Sequence, residues 1–365
     1  MTYLNVDELA TGVEALAQTY PDFCDLIRLP ERSVENREIV GLSIGNTRGD
    51  ERPTAIFIGG VHAREWIPPD AVLYCAADLL EARKTGTGLR YGGASFTTDD
   101  IETIFRNLQL VFLPCANPDG RAYSQTTEPL WRKNRSVNPL AGGGVCRGVD
   151  LNRNFDVAWD FRTKFAPNSV SASDNPCDPQ IYVGPSPASE PETRNIVWLL
   201  DHFAQTQWYL DIHSAIPAVF HGWGLDENQS AEPGLNFLNA DHDGARGLPG
   251  DTYGEFIEAD DAVELERLST LMAREIEKVR GDRYAVGQAY SLYATSGASD
   301  DYALSRHHTD PTKSKVLGFT MECGHEFQPN YDEGSEVMRE VAAALVGFAK
   351  DRAEASDLVQ EATSV

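Results

Sequence analysis

Short, almost unbroken apolar runs alternate along the chain with longer stretches in which apolar residues return every three or four positions. Runs at residues 39–44, 54–59, 108–113, 208–212 and 316–321 have strand length, and their continuity predicts strands buried on both faces. Helical periodicity marks residues 6–19, 69–80, 190–203, 263–279 and 333–349. Helices interleaved with buried strands predict a sheet covered on both sides, hence an α/β fold, and residues 1–350 read as one domain. Between Asn168 and Glu192 the chain is rich in Ser, Pro and Asp, which predicts a long irregular connection. Residues 351–365 read as a polar tail of low order. Glycines at Gly41, Gly45, Gly49, Gly59, Gly60 and Gly142 to Gly144 mark turns; no GxGxxG follows a strand, so dinucleotide binding has no support.

Charge narrows the partners. The 365 residues carry 31 basic and 56 acidic side chains, a net charge of −25. Nucleic acid and anionic membrane surfaces both demand the opposite balance, so neither is expected as a partner. No run is long enough to span a bilayer, and the first residues lack a basic start, an apolar core and a cleavage site. That pattern expects a cytoplasmic chain, unless the sequence is the mature form of an exported one. Residues 239–266 hold nine acidic residues and one arginine, which fits either an acidic wall above a site or a solvated loop.

The candidate chemistry begins after the apolar run 55–58. His62 and Glu65 stand three residues apart there, and His213 ends the run 208–212. Two imidazoles and a carboxylate, with a fourth position left for water, suit one catalytic zinc per chain. Taken alone, His62 and Glu65 fit a plain solvated helix as well.

Further motifs follow in order: His62-Ala63-Arg64-Glu65, Asn117-Pro118-Asp119-Gly120 with Trp131-Arg132-Lys133, Gly148-Val149-Asp150-Leu151-Asn152-Arg153-Asn154, Ile212-His213-Ser214, Tyr293 before Ser296-Gly297-Ala298-Ser299-Asp300-Asp301, and Phe319-Thr320-Met321-Glu322. In this order they resemble the zinc carboxypeptidases, the family of the pancreatic A and B enzymes. The resemblance implies a single three-layer α/β/α domain around a mixed, mainly eight-stranded twisted sheet. It implies zinc on His62, Glu65 and His213, Arg132 near the scissile carbonyl, and Asn152 with Arg153 on the substrate's terminal carboxylate. Tyr293 matches a mobile tyrosine and Glu322 the general base. It further implies a disulfide between Cys146 and Cys177, which would favour an extracellular home. Cys24, Cys75, Cys115 and Cys323 read as small buried hydrophobes.

Each role suits its residue type. A carboxylate such as Glu322 can take a proton from water and pass it to a leaving amine. A guanidinium at Arg132 can face a developing oxyanion, and one at Arg153 meets a carboxylate through two parallel hydrogen bonds. Asp150 is the candidate to orient His62. His325, three residues beyond Glu322, is a candidate to tune it, whereas His202, His221, His242, His307 and His308 read as surface or packing residues. By resemblance to the B-type enzymes, Asp300 lies at the bottom of the specificity pocket and favours C-terminal Lys or Arg, with dual acceptance of apolar residues as the second reading. Ala215 stands where the digestive enzymes carry a tyrosine. The expected partners are peptides or proteins with a free C-terminus, met by a monomer. Two rival functions stay open: a hydrolase of cell-wall peptides, glutamate chains or N-acyl amino acids, and a catalytically silent peptide-binding module.

Overall fold

The computed structural model describes residues 2–45, 52–227 and 229–363. Gly49 and the last two residues of the tail therefore lie outside the described residues. Eight strands form the central sheet: β1 (Cys24–Arg28), β2 (Val40–Ile44), β3 (Thr54–Gly59), β4 (Gln109–Leu113), β5 (Thr206–His213), β6 (Ala218–His221), β7 (Ala285–Gln288) and β8 (Leu317–Glu322). Their spatial order is β1-β2-β4-β3-β5-β8-β6-β7. The four central strands β4, β3, β5 and β8 run parallel; β1, β2 and β6 pair antiparallel to their inner neighbours, so the sheet is mixed. Parallel neighbours need crossovers, supplied by α2 (Ile67–Thr85), α3 (Thr98–Asn107), α4 (Pro118–Thr126), α5 (Pro191–His202), α6 (Ala259–Arg280) and α7 (Ser299–Thr309), while α1 (Val6–Thr19) precedes the sheet and α8 (Tyr331–Thr363) follows it.

Strand alternation divides the two faces chemically. Phe57, Trp208 and Phe319 turn their rings to Phe348 of α8, with ring centres 6.2, 6.1 and 6.0 Å away. The intervening positions of β5 and β8 point to the other face, which puts Asp211, His213, Thr320 and Glu322 on one side. Helix α7 covers that side: Ser299 Oγ donates to Asp211 at 2.6 Å and Thr320 Oγ1 donates to Asp300 at 3.0 Å. Approach is so close that a Cβ on Gly318 would lie 2.2 Å from the Asp300 carbonyl oxygen. Because Ile58 pairs with Asp211, and Glu322 with His213, the carboxyl ends of β3, β5 and β8 arrive together at one sheet edge. Open parallel sheets place their sites there.

Two expectations are corrected. Residues 351–363 do not form a loose tail but continue α8. Asn107 Nδ2 donates to the Ala353 carbonyl at 2.9 Å, and Asp351 pairs with Arg267 at 2.7 Å, so tertiary partners carry the helix past the apolar periodicity. The acidic stretch 239–266 ties part of its charge to bases, Glu255 to buried Arg246 at 2.9 Å, Asp243 to Lys164 at 2.8 Å, and Glu258 and Asp261 to Lys315 at 2.6 and 2.8 Å, while Asp241, Asp260 and Glu266 stay exposed. It is neither a free wall nor a simple solvated loop. Residues 168–190 are irregular as expected, with one bridge between Ser173 and Tyr182. Among the described residues no helix is long and apolar enough to cross a membrane.

Candidate active site

His62 and Glu65 sit in the turn that joins β3 to α2, ahead of the helix rather than on it. Ala63 N donates to the Arg132 carbonyl at 2.9 Å, which pins this turn to the Trp131-Arg132-Lys133 segment. His213 closes β5 one strand away. The imidazoles approach through their Nδ1 atoms, 3.0 Å apart, while Glu65 Oε1 lies 2.8 Å from His62 Nδ1 and its Oε2 lies 3.0 Å from His213 Nδ1. All three side chains are buried, and one ligand atom from each falls within 4.8 Å of the others. Two nitrogens and one carboxylate oxygen converging in this way fit a zinc ion with an open position. Burial opposes the charge of Glu65, yet the two histidines hold its carboxyl well below the usual range. Burial also disfavours a charged His213, but Asp211 and Glu65 outweigh it and raise its proton affinity well above the ordinary value.

Asp150 is the hub of the surrounding polar frame. Its Oδ1 lies 3.2 Å from His62 Nε2 and accepts from Asn152 N at 3.1 Å; its Oδ2 accepts from Arg132 Nε at 3.1 Å. Burial works against this charge, and Arg132 with His62 overcomes it, leaving the carboxyl far below its usual range. The expected partnership of Asp150 with His62 is present, and it extends to two further candidate residues. Arg153 is buried, with Nε donating to the Ser171 carbonyl at 2.7 Å and a terminal nitrogen to the Asn152 carbonyl at 2.5 Å. Tyr293, 42% exposed, stands at the rim with its ring centre 5.7 Å from the Arg153 guanidinium carbon.

Glu322, at the end of β8, keeps Oε2 buried and without a partner. Burial and the nearby Glu65 push its pKa up to about 7, which suits a group that must exchange protons near neutrality. His325, the candidate to tune Glu322, is exposed, and the strongest charges acting on Glu322 are those of Glu65, His213, Arg132 and Asp211. Asp300 is buried on α7; burial raises its pKa while the Thr320 hydroxyl pulls the other way. Its neighbour Asp301 is spent on structure, accepting from Gly224 N at 2.9 and 3.1 Å.

A disulfide joins Cys146 and Cys177, with Cα atoms 5.0 Å apart, and Lys133 Nζ donates to the neighbouring Asp178 carbonyl. Cys24, Cys75 and Cys323 are buried thiols and Cys115 is partly buried. Sequence reasoning missed Asp211, whose carboxylate Oδ2 lies 3.0 Å from His213 Nε2. The available signal was its spacing: two residues before His213 in a strand means the same face.

Comparison with known proteins agrees with this geometry. The zinc carboxypeptidase family profile matches residues 10–344. Carboxypeptidase B of Astacus astacus is 32% identical over 304 residues, 83% of this chain and 82% of that protein. Carboxypeptidase A4 of Mus musculus is 28% identical over 302 residues, covering 82% of this chain but 59% of that protein. Among solved structures, bovine thrombin-activatable fibrinolysis inhibitor in complex with tick carboxypeptidase inhibitor superposes with a TM-score of 0.70 at 22% identity, over 95% of this chain and 96% of that one. At that identity it speaks for the fold.

Proposed function

The chain belongs to the zinc carboxypeptidase family, and from that premise we propose that it removes single residues from the free C-termini of peptides as one catalytic unit on one zinc. In this reading His62, Glu65 and His213 hold the ion. When bound, zinc supplies Lewis acidity toward a peptide carbonyl and toward water. Glu322 takes a proton on its free Oε2 and delivers it to the leaving amine nitrogen. Arg132 faces the oxyanion that develops on the scissile carbonyl. Asn152 and Arg153 grip the terminal carboxylate, and Tyr293 closes over the peptide from the rim.

The observation that carries this reading is the sharing of Asp150. One buried carboxylate braces a candidate ligand, His62, the candidate oxyanion residue, Arg132, and a residue of the carboxylate grip, Asn152. Metal and terminal-carboxylate sites fixed in one frame favour exopeptidase action over the rival hydrolases. Peptides with free C-termini should be cleaved and their amidated counterparts left intact; equal cleavage of both would overturn the exopeptidase reading.

Preference for C-terminal Lys or Arg is assigned to Asp300. Support comes from its burial without a cationic partner among the described residues, since a basic substrate side chain would supply the missing charge. Acceptance of Leu or Phe is the second reading, favoured by the raised pKa: a protonated Asp300 hydrogen-bonded to Thr320 is a neutral wall. Specificity constants for otherwise identical peptides ending in Arg, Lys, Leu and Phe decide between them. Asp300→Ala is expected to lower the Arg and Lys values at least about tenfold more than the Leu value. A wild type that prefers Leu, or a variant that lowers all four alike, would remove Asp300 from this role and leave the zinc peptidase assignment standing.

A further inference from the structure

We infer that Asp211, held in place by Ser299, is the positioning residue of the second metal histidine, an inference that rests on the zinc site just proposed. His213 meets Glu65 and His62 through Nδ1, which leaves Nε2 facing into the protein. That nitrogen is buried and has no aligned hydrogen-bond partner. Among the described residues Asp211 is the carboxylate in reach, with Oδ2 at 3.0 Å, near enough to accept the Nε2 proton after a small turn of the ring. A proton fixed on Nε2 leaves the Nδ1 lone pair for the ion, the service that a carboxylate behind a metal histidine performs in general.

Three features set Asp211 apart from an ordinary buried acid. It is fully buried, and its other oxygen, Oδ1, has no partner. No lysine or arginine among the described residues pairs with it; its one ion-pair neighbour is His213. His213 is the group that meets this carboxylate, and a metal cation held on the far side of the same ring would be felt through it. Its orientation is also fixed from outside: Ser299 Oγ donates to Oδ2 at 2.6 Å, and Ser299 N donates to Asn152 Oδ1 at 2.8 Å. The chain Asn152, Ser299, Asp211, His213 thus parallels Asn152, Asp150, His62 on the other side. Both metal histidines are backed by a carboxylate, and both carboxylates are tied to the residue proposed to grip the substrate.

Zinc affinity measured by competition with a chelator on the full chain, stripped and reloaded, tests this together with the thermal midpoint of the metal-free protein. Asp211→Asn keeps the shape and removes the charge; it is expected to weaken zinc binding about tenfold or more. A purely structural role for Asp211 would instead lower that midpoint and leave the affinity within twofold of the parent, which would overturn the inference. Should Asp211→Asn fail to fold, Ser299→Ala decides: weakening of about threefold or more supports it, and unchanged affinity overturns it. Retained affinity with lost turnover would mean that Asp211 serves the substrate instead, and would also overturn it. A parent protein that binds no zinc would strike down the metal site itself, an outcome read before any variant is compared.

Discussion

Glu322 combines a strand-end position with a half-buried side chain whose Oε2 is buried and without a partner. The role of proton carrier proposed for it requires the ionised form, so kcat/KM should fall as pH drops through its pKa. Burial and Glu65 push that pKa up to about 7, and a bound cation nearby pulls it down again. The acid limb is therefore expected at or below pH 7, about tenfold in rate per pH unit. Glu322→Gln should reduce turnover about 100-fold or more with zinc content unchanged, as read by metal analysis and steady-state kinetics. Near-normal turnover would assign the base elsewhere. Residue types and their order were enough to single out His62, Glu65, His213, Arg132 and Glu322. Asp211 escaped notice because an acid inside an apolar run acquires meaning only when its strand face is known.

The elements divide into those that speak through their own residues and those held by neighbours. Strands β3, β4, β5 and β8 are buried along almost their whole length because both faces are covered, and the apolar runs at their centres make that visible in the chain. Strand β7 has four residues, two of them Gly287 and Gln288, and exists through its ladder with β6. Helix α7 carries Asp300 and Asp301 on its buried side, so its periodicity is hidden; its partners Thr320, Asp211 and Gly224 come from elsewhere in the chain. The disulfide acts at this scale too. It closes a loop of sequence separation 31 across the irregular connection, and opening it frees the unfolded chain more than the folded one. Replacing Cys146 and Cys177 together by Ser is expected to lower the unfolding free energy by about 3 to 4 kcal/mol in chemical denaturation. No measurable loss would mean that the surrounding hydrogen bonds already confine this loop.

For the molecule as a whole, the candidate metal site is a junction of parts distant in sequence. Residues His62 and Glu65 hang on the end of β3 and His213 on the end of β5, and the ladder between those strands does not depend on an ion. Chelation should therefore leave the helical signal intact while lowering the thermal midpoint. Free zinc at a thousandfold its dissociation constant should restore about 4 kcal/mol, readable by calorimetry with and without metal. A midpoint indifferent to zinc would argue against the site. The sequence by itself determined the parallel core, the family and the residues that could do chemistry, because continuous apolar runs and fixed side-chain types are local properties. The sequence also offered Asp150 as a partner of His62; only the tertiary structure decided that the same carboxylate would reach Arg132, that Asp211 would stand behind His213, and that the acidic stretch would tie part of its charge to Arg246, Lys164 and Lys315. Asp243 and Lys164, or Glu258 and Lys315, lie far apart in the chain and meet through packing, while Asp211 and His213 are close in sequence but take their meaning from which sheet face they share.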